Sequence, residues 1–165
     1  MSAEEVFKSI DGFATDLVEI TGGEPLLQEA AKPLMRSLCD ANKTVLLETS
    51  GERDISGIDP RVRRIVDLKP PSSGESHRMR WQNVELLTPN DEVKFVVFDR
   101  DDYQWARETI NKFALLTRAK EVLMSCVYGE LEPRHLVQWV LADNLHVRVQ
   151  LQLHKYIWGA EAKDV

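Results

Sequence analysis

The amino-acid sequence predicts an α/β domain built on an open, mostly parallel sheet of about six strands. Apolar, β-branched runs of four to seven residues recur along the chain, and several are apolar on both faces, as buried parallel strands require. Helix-like segments separate many of these runs, which is the alternation that crossover connections produce.

In chain order, Ser2 followed by Glu5 ahead of Val6 and Phe7 reads as a capping-box start for a short helix. The first strand is LVEI from Leu17, and it runs into Thr21-Gly22-Gly23-Glu24-Pro25. A helix is expected over residues 24–42, with Pro25 suited to its first turn and Pro33 expected to kink or interrupt it. TVLLE from Thr44 and RIVDL from Arg64 are the next strands. Residues 70–83 then form an irregular stretch of Pro, Ser, Gly and His, too long for a mere connector and therefore a candidate binding loop. KFVVF from Lys94 is the fourth strand, followed by a helix over 101–116 and by EVLMSCV from Glu121. The helix over 133–143 places Leu136, Val137, Val140 and Leu141 on one side, as an amphipathic crossover does. VRVQLQ from Val147 is the sixth strand.

With 165 residues and 43% hydrophobic content, residues 1–165 are expected to form one domain. A net charge of −6 and a pI near 5.3 argue against a surface that neutralises phosphates, so no direct nucleic-acid partner is expected. No apolar run approaches the ~20 residues needed to span a bilayer, and MSAEEVFKSI lacks a secretory pattern. A cytoplasmic location without a membrane partner is the expectation. Cys39 and Cys126 are the two cysteines, with no metal-binding spacing, so neither a disulfide framework nor a structural zinc is expected.

Ligands of such sheets sit at the carboxyl ends of the strands, so the residues that follow each strand are the candidate site. After the first come Gly22 and Gly23, which permit positive φ and close approach of a ligand to the main chain, and Glu24, which can hold an amino group. Glu48, Thr49 and Ser50 follow the second strand, and Lys69 to Gly74 the third. The fifth ends in Ser125-Cys126 and the sixth in Gln152-Leu153-His154-Lys155. Each has a plainer reading, as a turn, a helix-start charge, a surface loop or a structural imidazole. Their joint placement on one rim favours function.

TGGEPLL, ETSG, DLKPPSSG, EVKFVV and QLHKYIWG, spread over almost the whole chain, together resemble 7-carboxy-7-deazaguanine synthase, a radical S-adenosylmethionine enzyme. GGEP alone indicates the superfamily, and PPSSG with LHKYIWG narrows it. The resemblance implies a partial, open (β/α) barrel and a carbon–nitrogen lyase of queuosine and 7-deazapurine biosynthesis. Its substrate would be 6-carboxy-5,6,7,8-tetrahydropterin, whose ring contracts with loss of ammonia. It implies that Gly22, Gly23 and Glu24 receive the amino group of S-adenosylmethionine. Pro71, Ser72 and Ser73, with Lys69 close by, would lie near its ribose and carboxylate, and Ser125, Cys126 and Val127 along its adenosyl group. Thr21 and His154 would contact the pterin, joined by Glu48 and Ser50, which rest on rim position as much as on motif. A homodimer is also implied.

The sequence departs from that family where the chemistry begins. A 4Fe-4S cluster held by three cysteines of a CxxxCxxC-like loop is needed, and this chain has two cysteines, both of which read as small buried hydrophobes. The family's first strand, its QGEG-like loop and its magnesium-binding threonine are absent as well. An N-terminally shortened enzyme is expected, inactive by itself. The alternatives are a non-catalytic relative that binds S-adenosylmethionine or a pterin, and a fragment of a radical S-adenosylmethionine activating enzyme.

Overall fold

A computed structural model describes residues 3–10 and 12–162. Among the described residues six strands form one open sheet: β1 (Leu17–Ile20), β2 (Thr44–Thr49), β3 (Arg63–Asp67), β4 (Glu92–Val97), β5 (Glu121–Cys126) and β6 (Arg148–Val149). They lie side by side in chain order, and every neighbouring pair is parallel. Helices α1 (Ala3–Ile10), α2 (Ala31–Asp40), α3 (Gln82–Glu85), α4 (Arg100–Lys112), α5 (Leu115–Arg118), α6 (Pro133–Ala142) and α7 (Leu153–Trp158) complete the fold. The Ser2 cap expected for the first helix lies outside the described residues.

The two faces of the sheet differ in chemistry. On β2 and β4 every second residue is buried, namely Val45, Leu47 and Thr49, and Val93, Phe95 and Val97. These side chains meet Met35 and Leu38 of α2, Tyr103, Ala106 and Ile110 of α4, and Leu136 of α6 in one core. Each fully buried aliphatic or aromatic side chain there contributes about 1.5–3 kcal/mol. The alternate residues, Glu19, Glu48, Asp67 and Lys94, point to the other face. The expectation of strands apolar on both faces is met by β5, buried from Val122 to Cys126, and is corrected for β2 to β4, where one face is core and the other carries charges.

That charged face is concave. Adjacent strands stand ~4.8 Å apart, so the edges of a flat six-stranded sheet would be roughly 24 Å apart. Yet Glu19 of β1 and His154 beyond β6 line a single cavity, so the sheet curls into a partial, open barrel with its helices outside.

Several elements differ from the sequence expectation. Residues 24–42 are two pieces, a 3-10 turn over Pro25–Leu27 and then α2, because Glu24 caps the turn and the chain breaks at Gln28. Pro33 stands in the first turn of α2, where its missing N–H has no intrahelical partner to lose, so it neither kinks nor interrupts. Ala114, at φ 50, separates α4 from α5. Strand β6 is two residues long, residues 150–152 of the expected strand are irregular, and α7 follows, so His154 stands on a helix. On α6, Leu136 and Val140 are buried while Val137 and Leu141 are exposed, the latter to 70%. The loop over 70–83 holds two 3-10 turns, Pro71–Ser73 and Ser76–Arg78, before α3 begins.

Candidate functional site

The site is built from the strand ends upward. At the end of β1, Gly22 (φ 87) and Gly23 (φ 56) take left-handed conformations that L side chains rarely adopt, and nothing stands within 4 Å of where a Cβ would be. Their main chain is thus open to close approach. Glu24 follows, with its carboxylate already engaged. It accepts from the Leu26 N–H at 3.0 Å, from the Thr49 hydroxyl at 2.9 Å, and from the Ser50 N–H and hydroxyl at 2.7 and 2.6 Å. One acid therefore caps the 3-10 turn and ties the end of β1 to the end of β2.

At the end of β3, Lys69 Nζ donates to Asp67 Oδ2 at 2.6 Å. The Ser72 hydroxyl donates to Asp102 near the start of α4, and Asp102 also accepts the Phe98 N–H at 3.1 Å. Asp99 caps that helix by accepting the Asp102 N–H at 2.9 Å. The Ser73 hydroxyl donates to the Pro70 carbonyl at 2.6 Å. The PPSSG loop is thereby pinned to the helix N-terminus and to itself, which fixes where its main chain lies.

These elements surround an open cavity of about 710 Å³ at the carboxyl ends of the strands. Thr21, Glu48, Lys69, Ser72, Ser73 and His154 line it, and Val96, Phe98 and Val127 supply an apolar wall. A neighbouring cavity of about 280 Å³ is lined by Glu24, Ser50 and Arg78, and Lys69 borders both. The charges on the floor are paired: Lys94 Nζ donates to Glu48 Oε1 at 2.6 Å. Burial pushes the Glu19 carboxyl up, helped by the nearby Glu48 and opposed by Lys94. Burial likewise raises Asp67, against the pull of Lys69 and Lys94.

The sequence-selected residues do not all converge. Gly22, Gly23 and Pro71 stand on exposed loops at the rim. Ser125 shares the inner face with Leu123 and Val127 by alternation; it is buried, and its hydroxyl has no partner among the described residues. Cys126 points the other way, into a small cavity of about 50 Å³ beside Tyr128 and Leu131, so its side chain is turned from the main cavity. Sequence reasoning passed over Glu19, Asp67 and Lys94. A signal was present for Glu19, the lone charge of LVEI, whereas Asp67 shares its strand with Arg63 and Arg64 and Lys94 shares its strand with Glu92.

The residues present fit one of the groups the resemblance implies and not another. An open glycine turn beside a roomy polar cavity suits S-adenosylmethionine. A 4Fe-4S cluster does not fit the two cysteines: Cys39 is buried in α2 and Cys126 at the end of β5. Burial pushes the Cys39 thiol up, and the Cys126 thiol up to about 11, the reverse of what a thiolate ligand needs.

No protein-family model matches the chain. The 7-carboxy-7-deazaguanine synthase of Koribacter versatilis is 42% identical over 179 residues, covering 100% of this chain and 79% of that protein. The enzyme of the same name from Chlorobaculum tepidum is 42% identical over 168 residues, covering 100% of this chain and 76% of that one. That of Bacillus subtilis is 29% identical over 184 residues, with 96% and 74% covered. Among solved structures, Streptococcus suis SuiB bound to S-adenosylmethionine superposes with a TM-score of 0.65 over 92% of this chain and 42% of that one, at 9% identity, which shows a shared fold. Identity at that level along the full 165 residues, joined to the glycine turn and the rim cavity, carries the conclusion that this chain belongs to the 7-carboxy-7-deazaguanine synthase family.

Proposed function

We propose that residues 1–165 act as one unit that holds S-adenosylmethionine and 6-carboxy-5,6,7,8-tetrahydropterin for the carbon–nitrogen lyase reaction of 7-carboxy-7-deazaguanine synthases. The observation that carries this reading is the 710 Å³ cavity, which gathers Thr21, Glu48, Lys69, Ser72 and His154 from both edges of the sheet. Thr21, Glu48 and His154 face the pterin in this reading. The carbonyls of Gly22 and Gly23 receive the ammonium of S-adenosylmethionine, while Glu24, saturated by four protein donors, holds their turn in place and adds long-range charge. Val96, Phe98 and Val127 offer the flat apolar wall on which a heterocycle packs. The cluster and the magnesium ion draw their ligands from residues other than these 165. A cytoplasmic enzyme goes with this reading, as does a homodimer.

Calorimetric titration of the chain with each ligand tests the proposal. Weak, saturable binding of both is expected, because the protein contacts persist without coordination to iron. After anaerobic reconstitution with iron and sulfide, the chain is expected to hold no stable cluster and to make no 5'-deoxyadenosine. Absence of binding of both ligands would overturn the cradle, and stoichiometric cluster uptake with 5'-deoxyadenosine formation would overturn the assignment of cluster ligation to other residues.

A further inference from the structure

Three carboxylates stand along the inner face of β1 to β3, and they are not equivalent. Glu48 is joined to Lys94, and Glu19 lies near both. Asp67 is the buried one, 6% exposed, and its two oxygens differ. Oδ2 accepts from Lys69 at 2.6 Å, whereas Oδ1 is buried and has no hydrogen-bond partner among the described residues. A buried carboxylate with one donor depends on that donor for its charge. Lys69 is differently placed. Its side chain is 30% exposed and borders both the 710 and the 280 Å³ cavities, and two of its three N–H groups have no partner among the described residues. The other cations here are paired too, Lys94 with Glu48 and Arg78 with Glu52 and Glu75, but the Lys94 side chain is only 15% exposed and borders just the larger of these two cavities, while Arg78 borders just the smaller. Lys69 is thus the ammonium best placed to meet an entering carboxylate.

We propose that Asp67 is a positioning residue that acts through Lys69: it is the counter-ion of Lys69 in the free chain and yields the ammonium to the carboxylate of a bound ligand, taking up a proton from solvent in exchange. The inference rests on the functional reading above, in which both ligands carry a carboxylate, the pterin at its 6-position and S-adenosylmethionine on its methionine end. No bond between heavy atoms forms or breaks; the one covalent change is the O–H bond made when Asp67 takes a proton from the buffer. The Lys69–Asp67 contact breaks, a Lys69–ligand contact forms, and Asp67, left buried without its donor, binds one proton. The neighbours support that outcome: Glu48 from β2 opposes a second negative charge, and Lys94 from β4, which would favour it, is bound to Glu48. Glu19 from β1 and His154 from α7 also face the cavity and are the groups a test must separate from Asp67. The consequence has a definite sign. Carboxylate binding linked to proton uptake strengthens as pH falls and weakens as pH rises.

The experiment is calorimetric titration of the chain at pH 7 in two buffers of unlike ionisation enthalpy. The probes are 6-carboxy-5,6,7,8-tetrahydropterin, tetrahydropterin without the carboxylate, and S-adenosylmethionine. Proton uptake is expected with whichever carboxylate reaches Lys69, which identifies its source, and not with the pterin that lacks one. Asp67→Asn is expected to abolish the uptake while binding the carboxylate as tightly as the unaltered chain or tighter, since Lys69 is released; mere damage to the cavity would weaken binding. Lys69→Met, in which Asp67 has no ammonium to yield, is expected to show no uptake either and serves if Asp67→Asn fails to fold. Uptake that persists in either variant, or no uptake with either carboxylate ligand, overturns the proposal. If the unaltered chain binds neither ligand, the functional reading falls and this inference with it.

Discussion

Replacing Glu24 with alanine tests how the glycine turn is held. The carboxylate receives four protein donors, and their fates differ once it is gone. The Leu26 and Ser50 N–H groups and the Ser50 hydroxyl stand where water can reach them, so each loss costs about 0.5 kcal/mol after solvent replaces the acceptor. The Thr49 hydroxyl is different, because Thr49 is buried and an unsatisfied donor there costs about 1–3 kcal/mol. Together these give about 3 kcal/mol, which for a chain of this size lowers Tm by roughly 6–12 °C. Thermal unfolding followed by circular dichroism, alongside calorimetric titration with S-adenosylmethionine, provides the assay. Glu24→Gln is expected to fall between, since one oxygen remains while the amide NH2 confronts the Ser50 donors. The ligand should bind Glu24→Ala at least tenfold more weakly, on the order of 1.4 kcal/mol, because the turn that presents the Gly22 and Gly23 carbonyls is released. An alanine variant that melts with the unaltered chain would refute the tie. One that also titrates like it would reduce TGGEP to a turn leading into a helix.

The other predictions concern the scaffold. Asp91, 1% exposed, accepts from Arg64 Nε at 2.9 Å and from the Thr88 N–H and hydroxyl at 2.7 and 2.8 Å, so Asp91→Asn should cost about 3 kcal/mol by denaturant titration. Burial alone would raise the Asp91 carboxyl, but the hydrogen bonds from Arg64 and Thr88 outweigh it and hold it below the usual range. Its stabilisation is therefore full above about pH 4 and lost as pH falls through the depressed folded value, and the variant's stability should vary less with pH in that acid window. Gly51 sits at φ 74 with a would-be Cβ 3.1 Å from both Met79 and Val66, so Gly51→Ala should cost about 1–3 kcal/mol in the same assay. Ala114→Gly should instead raise Tm, by a gain of about 0.5–1 kcal/mol, because alanine at φ 50 pays the left-handed penalty that glycine avoids.

What the sequence determined by itself is local in origin. The period of each strand, the helix between strands and the glycines of the turn are written in neighbouring residues, and the side-by-side parallel order follows because short crossovers place successive strands next to each other. The burial of Cys126 was legible because it lies in the largely apolar run EVLMSCV, and that of Cys39 because it falls in an expected helix without a metal-binding partner. The tertiary structure decided the chemistry of the inner face. LVEI, RIVDL and KFVVF each read as strands, and only the curl of the sheet turned Glu19, Asp67 and Lys94 toward a common cavity. It also decided that Val127 faces that cavity while Cys126 turns away, a choice that shifts by one residue with strand register. Glu24 bonds Thr49 and Ser50 across about a strand, a helix and two loops of chain, and Lys94 bonds Glu48 across two strands. Such pairs depend on parallel register and sheet curvature, which no window of neighbouring residues encodes, so the polar network that positions the site emerges only when the strands are assembled.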